Sequence, residues 1–228
     1  MANVPDPFRD APEEVFTFFR EAVHLRDPEL QIHPLAADEA RTYSAALQES
    51  DVGATLGLVA LDDANDSNPY CLITRGIARG MVVHYSHDPE PEIRFADLAG
   101  FRAALVAARD RRLSIDELPA EPVPPHMDQR TLANTLADLN RNEGDTAEFL
   151  LCLLVPLISP DQVPLLDQLG ANSNFFVRES IARYIQARPR AEYREIAARL
   201  AVDPHPQVSD VGRKALSGVN RVFYSKPR

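Results

Sequence analysis

The sequence predicts an α+β N-terminal domain followed by an all-α C-terminal domain. In the first half, short apolar runs alternate with turns rich in Asp, Asn, Ser, Pro and Gly, a pattern typical of antiparallel strands. Three strands are expected, at Leu56–Leu61, Tyr70–Thr74 and Met81–Tyr85. In the second half the strand pattern ends, and apolar residues recur only at helical spacing.

Two helices are expected before the sheet. The first opens at Ala11–Glu14, where an early proline and two acidic residues favour a helix start. Its apolar stripe consists of Val15, Phe18, Phe19 and Ala22. The second helix spans Ala37–Glu49, with Asp38 near its N-cap. Its apolar positions are Ala40, Tyr43, Ala46 and Leu47.

A fourth short strand and a closing helix complete the expected N-terminal domain. The strand lies near Ile93–Phe95. Asp97 is expected to cap a helix over Leu98–Arg111, because its carboxylate accepts hydrogen bonds from free backbone N–H groups. The inward positions of this helix are Leu98, Phe101, Leu105 and Ala108.

A proline-rich segment separates the two patterns. Residues 118–126 contain four prolines, which favours an extended, semi-rigid linker. The PxxP spacing within the segment leaves open a second role as a peptide ligand for another protein. We therefore expect an α+β domain at 1–117 and a helical domain at 127–228.

The second half shows six helical segments and an internal repeat. The helices are expected at 129–141, 145–158, 161–169, 174–187, 191–202 and 207–222. At a spacing of 31 residues, Leu169, Val177, Ile181 and Ile185 recur as Leu200, Val208, Gly212 and Leu216. Such a repeat predicts helix pairs that stack and bury one continuous core.

The charge of the chain is concentrated in its first half. Residues 1–125 carry 22 Asp and Glu against 11 Lys and Arg, a net charge of −11, whereas residues 126–228 carry 12 against 13. This field disfavours nucleic acid, whose binding depends on neutralising phosphates. It favours a basic partner, although an acidic surface also serves solubility alone.

Four segments of the first half share features with a known family. They are Leu61-Asp62-Asp63, Ser67-Asn68-Pro69-Tyr70, Gly80–His84 and Phe95–Phe101. Through them, residues 56–106 resemble the C-terminal two-thirds of a SUKH domain, which would occupy residues 1 to about 115. The resemblance implies two leading helices, a twisted antiparallel sheet and a closing helix. Many bacterial SUKH proteins are immunity proteins that bind and neutralise toxins, many of them nucleases.

Two segments of the second half resemble the turn and second helix of a HEAT repeat. They are Phe176–Ile185 and Val202–Leu216. The resemblance implies a HEAT-like α-solenoid over about 127–222, which in most families is a protein-binding scaffold. HEAT-like DNA glycosylases bind DNA in a basic groove with aromatic contacts. The cationic stretch Arg178, Arg183, Arg188, Arg190 and Arg194 therefore keeps a glycosylase or lyase as a further alternative.

The acidic turn Asp62–Asp66 is the most polar connection of the predicted sheet. An EF-hand loop starting at Asp62 would need Gly where Ser67 stands and Glu where Ile73 stands, so calcium binding is not expected. A turn that bonds its own backbone is favoured, with its acidic side chains exposed to a partner.

Other candidate ligands and nucleophiles point away from catalysis. His84 and His87 are three apart near a strand end and would face opposite sides of the sheet, which disfavours a shared metal ion. Cys71 and Cys152 lie in apolar segments and are expected to be reduced packing residues. Phe175-Phe176 fits either an exposed binding anchor or a buried helix start. We expect no cofactor, no metal and no enzymatic activity.

These observations predict a cytoplasmic protein-binding protein. The first residues lack the pattern of a secretory signal, and no apolar run is long enough to span a membrane. The resemblance implies an immunity protein that neutralises a cognate bacterial toxin with a basic domain. The alternative is an adaptor or scaffold built on HEAT-like repeats, without a toxin. The contact candidates are Asp62, Asp63, Asp66, Tyr70 and Glu92.

Overall fold

The computed structural model describes residues 6–63, 68–86, 91–119, 127–142 and 144–223. The chain divides into two compact units, Met1–His126 (unit 1) and Met127–Arg228 (unit 2). The division falls at the end of the proline-rich segment, of which residues 120–126 lie outside the described part of the chain.

Unit 1 combines helices with one small antiparallel sheet, as the sequence predicts at the level of an α+β fold. Its elements, in chain order, are α1 (Glu13–Ala22), α2 (Ala37–Leu47), α3 (Asp51–Leu56), β1 (Leu58–Ala60), β2 (Tyr70–Ile73), β3 (Val82–His84), β4 (Glu92–Phe95) and α4 (Leu98–Arg111).

The four strands pair antiparallel in the order β1-β2-β3-β4. Tyr70 of β2 stands opposite His84 of β3, and His84 stands opposite Glu92 of β4. Because residues paired across strands point to the same face of a sheet, these three side chains form one row. The register shifts between Val82 and Val83, where an irregularity interrupts the ladder between β3 and β4.

Helix α2 covers the outer edge of β1. The Ser44 hydroxyl accepts a hydrogen bond of 2.9 Å from Ala60 N, and the Gln48 amide donates one of 2.9 Å to the Leu58 carbonyl. Side chains thus bond backbone groups of an edge strand that would otherwise be open to pairing. For this reason the inner face of α2 is Ala40 and Ser44, whereas Ala46, which the sequence predicted to face inward, is exposed.

The N-terminus of α2 also differs from the prediction. The helix begins after Ala36, and the carboxylate of Glu39 accepts a hydrogen bond of 2.6 Å from Ala36 N. Asp38 is therefore an exposed residue of the first turn and not the cap. The third residue of the helix thus satisfies the backbone N–H of the N-cap residue, which is one half of a capping box.

Helices α1 and α4 contribute the apolar stripes that the sequence predicts. All four stripe residues of α1 and all four of α4 are buried. The rings of Phe18 and Phe101 lie 5.8 Å apart between their centroids, which joins the two helices. Asp97 accepts a hydrogen bond of 2.7 Å from Gly100 N and caps α4 as expected.

Helix α3 is absent from the sequence prediction, which placed Leu56 at the start of a strand. The Ser50 hydroxyl accepts a hydrogen bond of 3.0 Å from Gly53 N at the start of α3. Gly57, at a left-handed φ of 59°, ends the helix, and β1 starts one residue later. An apolar run of six residues does not distinguish the last turn of a helix from a buried strand.

Every regular element of unit 2 in the described residues is helical. The six α-helices are α5 (Gln129–Leu139), α6 (Asp145–Leu154), α7 (Val163–Leu169), α8 (Phe175–Ala187), α9 (Arg194–Leu200) and α10 (Pro206–Phe223). Each lies within or close to one of the six predicted segments. Two predicted helices are shorter because 3₁₀ turns occupy Val155–Leu157 and Ala191–Tyr193.

Helices α6, α8 and α10 lie against one another in sequence order, and α5, α7 and α9 each pack against the helix that follows. Val177, Ile181 and Ile185 of α8 are fully buried. Gly212 occupies in α10 the position that Ile181 holds in α8. A Cβ atom on Gly212 would lie 2.5 Å from the carbonyl carbon of Leu200, because the end of α9 approaches α10 this closely.

Replacing Gly212 with Ala is expected to destabilise unit 2. The added methyl group would overlap backbone atoms of α9, and relieving that overlap costs about 1–3 kcal/mol of unfolding free energy. Gly218→Ala, in the same helix, is the matched control because its nearest neighbour, Pro189 Cβ, would lie 4.0 Å away. The control should be neutral or up to about 1 kcal/mol more stable, since Ala favours helix over Gly. Urea denaturation measures both, and equal midpoints would contradict the close approach.

Candidate functional site

The carboxylate of Asp62 anchors the acidic turn from inside the protein. Asp62 is 1% exposed, and its Oδ1 accepts a hydrogen bond of 2.6 Å from Tyr70 N. Asp62 also forms an isolated β-bridge with Pro34, and Asp63 N donates to the His33 carbonyl at 3.0 Å. The prediction of Asp62 as an exposed contact is therefore wrong, because its carboxylate is used to hold the turn against β2.

Tyr70 is likewise an interior residue, 3% exposed. Its ring stacks on His84 at 4.6 Å and lies 5.2 Å from the ring of Phe101. Its hydroxyl donates a hydrogen bond of 2.5 Å to Asp116 Oδ1. Burial, with the neighbouring Asp116 carboxylate, raises the pKa of the Tyr70 phenol well above its usual value. Tyr70 offers a partner almost no surface, which corrects the second of the predicted contacts.

The remaining predicted contacts differ in their placement. Glu92 is exposed on β4, with its carboxylate 3.6 Å from a guanidinium nitrogen of Arg94. Asp63 is half-buried at the start of the turn. Asp66 lies outside the described residues. Of the predicted acidic contacts that the structure describes, Glu92 is therefore exposed and Asp63 is partly exposed.

Ion pairs engage some of the carboxylates of unit 1. Six arginines of unit 1 have carboxylate partners, in the pairs Arg26–Glu39, Arg41–Asp6, Arg75–Asp10, Arg94–Glu92, Arg102–Glu21 and Arg112–Glu29. Within the described part of unit 1, nine exposed carboxylates have no such ion pair: Glu13, Glu14, Asp38, Glu49, Asp51, Asp97, Asp110, Asp116 and Glu117. Four of them lie in first turns of helices, where a carboxylate also stabilises the helix dipole.

In unit 2, Arg178 joins the start of α8 to the turn between α9 and α10. Its Nε and one terminal nitrogen donate to both oxygens of Asp203, at 2.7 and 3.0 Å. Its other terminal nitrogen donates to the carbonyls of Asn172 and Ser173 at 2.9 and 2.8 Å. Bidentate bonding of this kind is stronger than single neutral hydrogen bonds. The guanidinium holds the pKa of the Asp203 carboxyl below its usual value.

The turns that end α5, α7 and α9 carry related polar residues. Asn172 donates a side-chain hydrogen bond of 2.6 Å to Asn140 Oδ1, and the guanidinium of Arg178 connects Asn172 to Asp203. The three positions are 32 and 31 residues apart. This spacing was visible in the sequence, but the side-chain contacts between successive turns were not predicted.

The cationic stretch 178–194 is largely engaged within unit 2. Arg183 donates to Glu179 at 2.6 Å, and Arg190 donates to Asp161 at 2.8 Å. The guanidinium of Arg188 lies 4.8 Å from the centroid of the Tyr184 ring. Arg178 is bound to Asp203, so all four of these side chains form contacts within unit 2. They are therefore less available to bind the phosphates of a nucleic acid.

The sequence left open whether Phe175 and Phe176 are buried or exposed, and the structure places them differently. Phe175 is half-buried and its ring stacks on His205 at 3.7 Å, which brings the start of α8 against the start of α10. Phe176 is 43% exposed. One ring thus packs inside unit 2 and the other lies at its surface.

Candidate metal and thiol groups do not form a reactive centre in the described residues. No group of three His, Cys, Asp or Glu side chains there is arranged to hold a metal ion. His84 stacks on Tyr70, and His87 lies outside the described residues. Burial raises the pKa of the Cys71 thiol, which disfavours the thiolate, and Cys152 is half-buried. Among the described helices, none has the length and apolar character needed to cross a membrane.

Comparison with protein-family models, with curated proteins and with solved structures finds no match to this chain. The function of both units is therefore inferred from the residues and contacts described above.

The Tyr70–Asp116 hydrogen bond should make a measurable contribution to the stability of unit 1. Tyr70→Phe is expected to lower the unfolding free energy by about 1–2 kcal/mol, because it removes the donor to a carboxylate. Asp116→Asn keeps an acceptor oxygen and should cost less. A double-mutant cycle of Tyr70→Phe with Asp116→Ala, which removes the acceptor, should give a coupling energy of about 1 kcal/mol by urea denaturation. Additive effects of the two substitutions would show that the hydroxyl and the carboxylate do not interact.

The Arg178–Asp203 pair predicts a pH-dependent stability of unit 2. Since folding lowers the Asp203 pKa, the stabilisation is present above the usual Asp pKa of about 3.9 and is lost as pH falls through the lower folded value. Asp203→Asn should cost about 1–3 kcal/mol at pH 7. The difference in unfolding free energy between Asp203→Asn and the parent should narrow as pH falls below about 4.

Asp210→Asn is the matched control for this experiment, because Asp210 pairs with Arg213 at the surface of α10. It should change the unfolding free energy by less than about 0.5 kcal/mol at any pH. Thermal denaturation at a series of pH values measures both variants. A loss for Asp203→Asn that stays constant with pH would exclude the ion pair as its cause.

Proposed function

We propose that this chain is an immunity protein that neutralises a cognate bacterial toxin by direct binding through unit 1. The observation that carries the proposal is the uneven charge: net −11 over residues 1–125 against +1 over residues 126–228. A surface of this charge attracts a basic partner, accelerates encounter and disfavours acidic competitors.

The order of elements in unit 1 supports the resemblance to SUKH domains. Helices α1 and α2 precede the sheet, four antiparallel strands follow in sequential order, and α4 closes the unit. Helix α3 stands between α2 and β1 as an additional short element. This order agrees with the layout that the resemblance implies, and it supports a role shared with the immunity proteins of that family.

The proposed contact surface combines Glu92 with the acidic residues that begin at Asp63. Asp63 lies at the described start of the turn and Asp66 further along it. Asp62 and Tyr70 act behind this surface: the hydrogen bond between them fixes where the turn leaves the sheet. In this proposal they are positioning residues, and the exposed acids make the contact.

The proposed mechanism is steric and electrostatic, without turnover, and operates in the cytoplasm. Enzymes that act on nucleic acids present Lys and Arg to phosphate groups. Carboxylates on an inhibitor satisfy the same basic residues and exclude the substrate, while a few apolar anchors supply most of the affinity. A basic nuclease toxin is therefore the partner class that the charge of unit 1 fits best.

Unit 2 supports a second candidate, an adaptor or scaffold built on HEAT-like repeats. Several of its side-chain hydrogen bonds join residues that lie about one helix pair apart in the sequence. Examples are Asn172–Asn140, Arg190–Asp161 and Arg199–Asp167. Contacts between successive repeats of this kind stabilise extended binding scaffolds. The adaptor would bind a cellular partner by the same unit, with no toxin involved.

The decisive experiment pairs the chain with the product of the adjacent open reading frame. Co-expression should restore growth to cells that produce that product, and the two proteins should co-purify. The variant Asp63→Lys/Glu92→Lys should weaken binding at least about tenfold. Charges at the rim and in the core of an interface both contribute to binding, and here both are reversed. Isothermal titration calorimetry and cell survival measure the two effects.

Glu195→Lys is the control variant, because Glu195 is an exposed residue of α9 in unit 2. It should retain binding and protection. Equal loss for the control would show an effect of net charge alone. Failure of the neighbouring product to bind or to be toxic would remove the toxin hypothesis and favour the adaptor.

A further inference from the structure

A groove of about 570 Å³ lies between α8 and α10 in unit 2. Its lining is Gln186 from α8 and Asp210, Arg213, Lys214, Ser217, Gly218 and Arg221 from α10. The residues 210, 214, 217 and 221 follow one another at helical spacing, so one polar stripe of α10 forms one wall. The opposite stripe of the same helix, with Ala215 and Val219, is fully buried.

The groove has an excess of positive charge. Of its three cationic side chains, Arg213 is paired with Asp210 one turn away. Lys214 and Arg221 are exposed and have no ion pair within the described residues. The groove therefore carries two uncompensated positive charges, in a chain whose formal net charge is −10.

Apolar groups adjoin the charged wall at the C-terminal end of α10. Gly218 lines the groove, and Val222, one turn further along the same face, is 55% exposed. Phe223 follows with 47% exposure. Exposed large apolar residues beside a charged groove are typical of protein-binding surfaces, where an apolar anchor contributes more affinity than the surrounding charges.

We propose that this groove binds an acidic segment of a partner protein. Carboxylates of that segment would pair with Lys214 and Arg221, and an apolar side chain would pack against Val222. Nucleic acid would use the same two cations, and the DNA duplex in the test below distinguishes it from an acidic segment. The proposal concerns unit 2 and does not rest on the function proposed for unit 1.

The test uses the full-length chain and a fluorescein-labelled 16-residue peptide rich in Glu with two Leu residues. Fluorescence anisotropy at 50 and 150 mM NaCl measures binding. The same peptide with Lys in place of Glu, and a 16-base-pair DNA duplex, are the competing probes. The Glu peptide should bind more tightly than either, and its affinity should fall as salt rises.

Lys214→Glu/Arg221→Glu should weaken binding of the Glu peptide at least about tenfold, because both uncompensated cations are reversed. Arg130→Glu is the matched control, since Arg130 is an exposed residue of α5 outside the groove. It should change binding less than about twofold. Thermal denaturation establishes that the variants are folded. A variant that fails to fold is replaced by Lys214→Gln/Arg221→Gln, which should weaken binding by a smaller factor in the same direction.

Three results would overturn the proposal. The first is that the Glu peptide fails to bind, or binds no better than the Lys peptide. The second is tighter binding of the DNA duplex, which would identify a nucleic-acid surface. The third is self-association that Lys214→Glu/Arg221→Glu abolishes, seen by analytical ultracentrifugation, which would identify a second copy of the chain as the occupant.

Discussion

The arrangement of unit 1 depends on the buried Tyr70. Its backbone N–H fixes Asp62 at the start of the acidic turn, and its hydroxyl fixes Asp116 beyond the end of α4. Its ring lies between His84 of the sheet and Phe101 of α4. A buried phenol needs a hydrogen-bond partner, and an aspartate acceptor is stronger than a neutral one. One residue therefore determines where the turn, the sheet and the last segment of the unit meet.

Charge in this chain serves structure and recognition through different residues. In unit 1 six arginines have carboxylate partners, whereas nine exposed carboxylates of the described residues have none. In unit 2 most arginines of α8 and the following turn have internal partners, and Lys214 and Arg221 of α10 are exposed without an ion pair in the described residues. Exposed pairs contribute little stability. Exposed groups without an ion pair occur with both signs in each unit, but carboxylates are in excess in unit 1, and Lys214 and Arg221 lie together on one face of α10.

The sequence predicts elements well where two local signals agree. Helix α4 has both an N-cap aspartate and a stripe of apolar residues at helical spacing, and its bounds match the prediction. The strand at Leu56–Leu61 has only an apolar run, and the run proved to contain the end of α3 as well as β1. Local composition does not settle such a case, because a buried helix turn and a buried strand use the same residues.

The candidate site was harder to predict than the fold, for a physical reason. An aspartate in a polar turn is exposed unless a specific donor reaches it, and the donor to Asp62 is a backbone N–H eight residues later. Sequence patterns do not reveal that contact. The α10 groove is different, since its polar stripe is readable at helical spacing. The second wall of the groove cannot be read from the sequence, because it depends on Gln186 of α8 lying opposite α10.

Helix α10 has a buried stripe that packs and an exposed stripe that is charged. Its buried stripe contains Gly212, Ala215 and Val219, and Gly212 allows the close approach of the end of α9. Its exposed stripe contains Lys214 and Arg221. Because the helical period of 3.6 residues separates the stripes by angle, changes of charge on one leave the contacts of the other in place. The charges of the exposed stripe can therefore change while the packing of α10 against α8 and α9 stays the same.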